Sequence, residues 1–174
     1  EETQALMDTL APMLDSELDL SSLNISGDYI RNLKKIYIVA CGTAYHAGFL
    51  GKYVLEKLLR INVEVDIASE FRYRDSLIGK DDLMIVISQS GETADTIAAM
   101  REARKKGAFC LAIVNALGST IAREADGVLY TRAGLEIAVA STKAYSTQLM
   151  AIYMLAVAFA KLLGKLSDQE YHKT

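Results

Sequence analysis

Five short apolar and β-branched runs punctuate the chain: Lys35–Ala40, Val63–Ile67, Leu83–Ile87, Ala108–Val114 and Val128–Tyr130. Each has the length and composition of a strand. Between them the spacing of apolar residues changes from two to nearly four, which predicts helices over about Ala44–Leu59, Ala68–Ile78, Ala94–Lys106 and a short one to Glu124. Gly107 stands where a C-terminal cap belongs, and Ser119 where an N-cap belongs. Upstream, Ala5, Leu6, Leu10, Met13 and Leu14 repeat at helical spacing; 15–27 reads as a connector draped on the domain, and 28–33 as a short helical turn. Downstream, Ser141 opens a helix to about Leu163 that is apolar nearly all round, and the polar tail from Gly164 is expected to fray. A helix apolar on every side needs cover beyond its own sheet, either another domain or a second copy.

Strands that alternate with helices make a parallel sheet covered on both faces. The fold class is therefore α/β: a three-layer α/β/α sandwich around a five-stranded parallel sheet, flavodoxin-like or Rossmann-like. Residues 31–164 form the domain, 1–30 an N-terminal helix and connector, and 165–174 a tail.

Composition narrows the function classes. The chain has 174 residues, 51% hydrophobic and 24% charged, with a formal net charge of -3 and no basic block, which argues against nucleic acid as a partner. Cys41 and Cys110 have no metal spacing and sit in or beside apolar runs, which suits reduced thiols in a cytoplasmic protein. His46 and His172 lie far apart, so neither a metal site nor a Cys-His nucleophile pair is favoured. The longest apolar run, Leu149–Leu163, is interrupted by Lys161 and falls short of the ~20 residues a membrane span needs. The chain opens on Glu1-Glu2 without Met, and is expected to be part of a longer protein.

Ligands of parallel sheets sit beyond the carboxyl ends of the strands. Three segments there are rich in small and hydroxyl residues: Cys41–Ala44, Ser88–Thr93 and the loop into Ser141. The second, Ser88-Gln89-Ser90-Gly91-Glu92-Thr93, lies between a buried strand and a helix start, where hydroxyls and free N–H groups can hold a phosphate. Glu92 should then point away from the anion. Taken alone, these six residues equally fit a solvated turn with a Ser/Thr helix cap. No G-x-G-x-x-G, G-x-x-x-x-G-K-[ST] or G-x-S-x-G occurs, so a dinucleotide fingerprint, a P-loop and a hydrolase elbow are absent, and a bound phosphate would belong to a small metabolite. Lys143 suits an ion pair with Glu136 better than a phosphate contact. Arg72 and Arg74 read as a solvated or interface surface rather than as guides for an anion, and His46 as a boundary residue.

The Ser88–Thr93 loop resembles the signature of SIS (sugar isomerase) domains, which bind phosphosugars. Cys41-Gly42-Thr43, the stretch Ala68–Arg74 and the block Ala133–Ala144 narrow the resemblance to the first of the two SIS domains in the glutamine–fructose-6-phosphate aminotransferase family. The likeness runs from about Leu33 to Leu163. It implies that Ser88, Gln89, Ser90 and Thr93 hold the phosphate of fructose 6-phosphate or glucosamine 6-phosphate. It further implies that Thr43 contacts the sugar, and that Val139, Ala140 and Ser141 line the site. Ala44 departs from the Ser common in the family. Family catalysis rests on a glutaminase domain and a second SIS domain, so no catalytic residue is implied here, Glu136 included, and this domain alone is expected to be inactive. No metal or organic cofactor is implied. Implied partners are the hexose 6-phosphate, those two further domains and a second copy in a homodimer. The alternative is a phosphosugar-sensing SIS regulator, or another tandem-SIS isomerase or deglycase.

Overall fold

The computed structural model describes residues 1–14, 18–134 and 142–167. Five strands, β1 (Lys35–Ala40), β2 (Asn62–Ile67), β3 (Asp82–Ser88), β4 (Phe109–Val114) and β5 (Gly127–Tyr130), form one sheet in the order β2-β1-β3-β4-β5. Every neighbouring pair is parallel. The helices are α1 (Glu2–Leu14), α2 (Gly27–Arg31), α3 (Gly42–Leu59), α4 (Ala68–Phe71), α5 (Ala94–Lys105), α6 (Thr120–Glu124) and α7 (Lys143–Leu162). The expected three-layer α/β/α sandwich is the observed one.

Because strand side chains alternate between faces, the sheet feeds two cores. Ile36, Ile38, Ile85, Ile87 and Ile113 pack on one face with Leu55, Leu59, Ile152 and Phe159 of α3 and α7. Tyr37, Val39, Met84, Val86 and Ala112 pack on the other with Phe71, Met100 and Ile121 of α4, α5 and α6. α3 nestles between the sheet and α7 by virtue of two glycines. A Cβ on Gly48 would stand 2.7 Å from Ile38 Cγ2, and one on Gly51 2.7 Å from Ile152 Cγ2. By length and composition α7 could cross a membrane, but here it packs on α3 and α1.

Several boundaries differ from those read in the sequence. α3 begins at Gly42 rather than Ala44, because Cys41 stays extended and serves as the N-cap. The helix expected over Ala68–Ile78 stops at Phe71. Past it, Arg74 turns back onto β2, paired with Glu64 and, at 2.9 Å, with Asp66. Arg72 pairs with Asp95 at 2.6 Å, so neither arginine is a free solvated charge. The connector contains a 3-10 turn, Leu20–Leu23, capped by Asp19, and Leu23 and Ile25 are buried under it. α7 begins at Lys143, and Ser141 lies outside the described residues. Residues 164–167 do not fray where described: the Lys165 N–H donates to Ala160 C=O at 2.8 Å and its side chain to Leu59 C=O.

Candidate functional site

The chain leaves β1 for β2 on one side, then returns past β1 to continue through β3 on the other. That reversal opens a crevice at the carboxyl ends of β1 and β3. These strands lie in register, Ala40 opposite Ile87, so the Cys41–Thr43 turn and the Ser88–Thr93 loop emerge side by side.

The loop is shaped largely by its own hydroxyls. Ser88 is the last residue of β3 and is buried; its Oγ accepts the Gly91 N–H at 3.0 Å and lies 3.3 Å from Thr93 Oγ1. Ser90 is exposed, and its Oγ accepts the Glu92 N–H at 3.2 Å. Gly91 takes φ +65°, the left-handed turn that aims the chain at α5. Thr93 is the N-cap of α5, yet its hydroxyl makes no capping bond. The first intrahelical bond runs from Ile97 N–H to Thr93 C=O, which leaves the N–H groups of Ala94, Asp95 and Thr96 ahead of it. The exposed Ser90 hydroxyl, the half-buried Thr93 hydroxyl, free N–H groups and a positive helix end therefore meet at one point, the combination that holds a phosphate oxyanion.

Two carboxylates stand beside this point, and both are engaged elsewhere. Glu92 Oε1 accepts the Thr120 N–H at 2.8 Å, and that backbone bond holds its carboxyl below the ordinary range. Asp95 is paired with Arg72. As expected, Glu92 points away from the loop's open side.

The loop's outer side is pinned to the β4–α6 connection. Gln89 C=O accepts the N–H groups of Asn115 and Ala116 at 3.3 and 3.2 Å, and Gly91 C=O accepts that of Ile121 at 3.0 Å. Ser119 caps α6 directly behind Gly91. A cavity of about 640 Å³ lies next to this clasp, lined by Gln89, Asn115, Leu117, Tyr130, Arg132 and Gly134. A hollow of similar size, about 650 Å³, opens at the other end of the sheet, but its arginines are neutralised: Arg101 by Glu124 and Arg104 by Asp126.

Of the other site residues read in the sequence, Thr43 is exposed on the first turn of α3, beside the loop's strand. Ala44 faces the core. Val139, Ala140 and Ser141 lie outside the described residues, as does Glu136. Lys143 pairs with Glu1 at 3.2 Å, and His46 is exposed. Among the described residues no three His, Cys, Asp or Glu side chains cluster as metal ligands would. Cys41 is half-buried, with the Thr96 hydroxyl 3.9 Å from its sulfur, while burial pushes the Cys110 thiol up to about 12. Asn115 was legible only as a turn residue. Its place at the end of a parallel strand is the signal that marks it out.

Comparison with known proteins fits this geometry. A SIS domain family model matches residues 29–158. The chain is 60% identical over 172 residues to the glutamine–fructose-6-phosphate aminotransferase (isomerizing) of Clostridium tetani, across 98% of this chain and 28% of that protein. The Clostridium perfringens protein of the same name is 57% identical, with the same coverage. The chain thus spans about 28% of the length of these curated relatives. The solved C-terminal domain of glucosamine-fructose-6-phosphate aminotransferase from Francisella tularensis superposes with a TM-score of 0.92 at 42% identity, covering 99% of this chain and 49% of that one.

Proposed function

We propose that this chain, which belongs to the SIS domain family, is a phosphosugar-binding domain of an amidotransferase that makes glucosamine 6-phosphate from fructose 6-phosphate and glutamine. The observation that carries the phosphate half of this reading is the convergence of the Ser90 and Thr93 hydroxyls with the free N–H groups of α5 at the β1/β3 crevice. The names of relatives at 60% and 57% identity support the rest. In this reading Ser88, Gln89, Ser90 and Thr93 hold the phosphate, Thr43 reaches the sugar, and Val139, Ala140 and Ser141 line it. Residues 31–164 are the binding domain, preceded by an N-terminal helix and connector, 1–30, and followed by a polar tail, 165–174.

Anchoring a substrate by its phosphate gives binding energy remote from the reacting carbons and leaves them free to change. The chemistry itself falls to other domains of a cytoplasmic enzyme, a glutaminase and a second SIS domain, so this domain by itself is inactive. An apolar groove of about 560 Å³ between α1, α3 and α7 suits contact with that second domain or with another copy in a homodimer. It is lined by Leu6, Leu50, Val54, Leu149, Met150 and Tyr153, with Phe49 and Tyr53 exposed beside it.

Thermal unfolding tests the reading. Fructose 6-phosphate or glucosamine 6-phosphate at 100 times its dissociation constant should stabilise the chain by about 2.7 kcal/mol. Inorganic phosphate at equal concentration should do less, and a nucleotide nothing. Stabilisation by the nucleotide and not by the hexose phosphates would overturn it.

A further inference from the structure

We infer that Asn115 is a positioning residue that sets sugar selectivity at the phosphosugar site; the inference rests on the reading proposed above. Asn115 follows the last residue of β4 and joins the phosphate loop to segment 131–134, with which it lines the cavity beside that loop. Its backbone N–H donates to Gln89 C=O in the phosphate loop. Its side chain turns the other way. Oδ1 accepts the Ala133 N–H at 3.0 Å and lies 3.4 Å from the Thr131 hydroxyl, while Nδ2 donates to Gly134 C=O at 2.9 Å. Thr131, Arg132 and Gly134 line the same cavity of about 640 Å³ as Gln89 of the phosphate loop, so the segment is one wall of the space next to that loop.

The segment 131–134 has no helix or strand to satisfy its backbone. It is held by β4, where Thr131 N–H donates to Val114 C=O at 2.9 Å, and by two side chains. One is Asn115. The other is Thr9 of α1, a buried residue whose Oγ1 accepts the Arg132 N–H at 3.0 Å and donates to Ala5 C=O at 2.7 Å. The Asn115 position requires an acceptor and a donor on one short planar group. A carboxylate offers no proton to Gly134, and a hydroxyl cannot span both partners. Without these bonds the segment gains backbone freedom that must be lost again when a ligand is gripped.

The two contacts of Asn115 separate under mutation. The bond to Gln89 is backbone to backbone and survives Asn115→Ala. The bonds to 131–134 do not. Phosphate binding should therefore persist while the preference for the whole hexose phosphate falls.

The test compares the affinities of fructose 6-phosphate and inorganic phosphate, by calorimetric titration of the 174-residue chain, in wild type, Asn115→Ala and Thr9→Val. Hydrogen exchange at the Ala133 amide is followed alongside. For Asn115→Ala the expected result is about tenfold weaker fructose 6-phosphate with inorganic phosphate within about twofold, and faster exchange at Ala133. Thr9→Val, which touches the segment from the far side, should lower the same ratio. Equal loss for both ligands, or an unchanged ratio in both variants, overturns the inference, since a merely structural role moves both affinities together. Wild type that binds neither ligand overturns the phosphosugar reading itself, and the inference with it.

Discussion

Gly91 and Ser119 face each other so closely that one carbon added to Gly91 would overlap the Ser119 hydroxyl. Gly91 is also held at φ +65°. Gly91→Ala therefore meets two penalties, a strained backbone and a collision. It should destabilise the chain by about 1–3 kcal/mol in urea unfolding and weaken hexose phosphate binding. Adding Ser119→Gly removes the collision but leaves the strain, so it should recover only part of the loss.

Ser90→Ala with Thr93→Ala removes two of the three loop hydroxyls that the proposed reading gives to the phosphate. A hydrogen bond to a charged group contributes about 1.5–3 kcal/mol, so each should weaken fructose 6-phosphate about ten- to hundredfold. Stability should change by no more than about 1 kcal/mol, because the Thr93 hydroxyl makes no capping bond. Titration calorimetry beside urea unfolding checks both halves.

Gly51→Ala should push α3 off α7. Overpacking costs about 1–3 kcal/mol, and Ile152 is the side chain in the way. Ile152→Ala removes both atoms in the way, Cγ2 and Cδ1. A double-mutant cycle should therefore show favourable coupling between the two changes, and strict additivity would show that the helices relax by another route.

Glu64 receives hydrogen bonds from Lys35 and Arg74. Burial raises its pKa, but these two partners together outweigh it and hold the carboxyl below the ordinary value of 4.5. A carboxyl depressed in the folded state contributes stability above its unfolded pKa and loses it as pH falls through the folded value. The group is partly solvated, so the contribution is about 1 kcal/mol or less. Wild type should exceed Glu64→Gln in unfolding free energy at neutral pH, and the gap should close below about pH 4.

Burial, and secondarily Asp126, pushes the Cys110 thiol up to about 12, so it carries almost no thiolate near neutral pH. A thiol reagent should label Cys41 in the folded chain, and Cys110 only after unfolding. Mass spectrometry of peptides from native and denatured samples reads this directly.

Most of the fold was legible because its central strands, β1, β3 and β4, are buried on both faces. Runs such as Ile36–Ala40 and Leu83–Ile87 have no polar position to misplace. Caps were legible too, since Ser119 and Gly107 act within one turn of themselves. The helix drawn to Ile78 failed because Leu77, one of its apolar positions, is 92% exposed. The phosphate loop showed in its residue types. The work of Asn115 and Thr9 did not, because each binds backbone groups, and backbone groups write no letter into the sequence. Ala133 lies 18 residues from Asn115, and Arg132 lies 123 from Thr9.

The pairing of α1 with α7 has a consequence in time. Glu1 meets Lys143, and Glu2 meets Ser146, across 142 and 144 residues. During synthesis the first helix emerges long before its partner. α3 can cover part of the isoleucine-lined face early, but the apolar surface that α3 and the sheet offer to Ile152 and Phe159 must wait for α7. Until then the nascent chain carries an open hydrophobic face, and a chain halted near residue 142 should be a client for chaperones rather than a smaller folded domain.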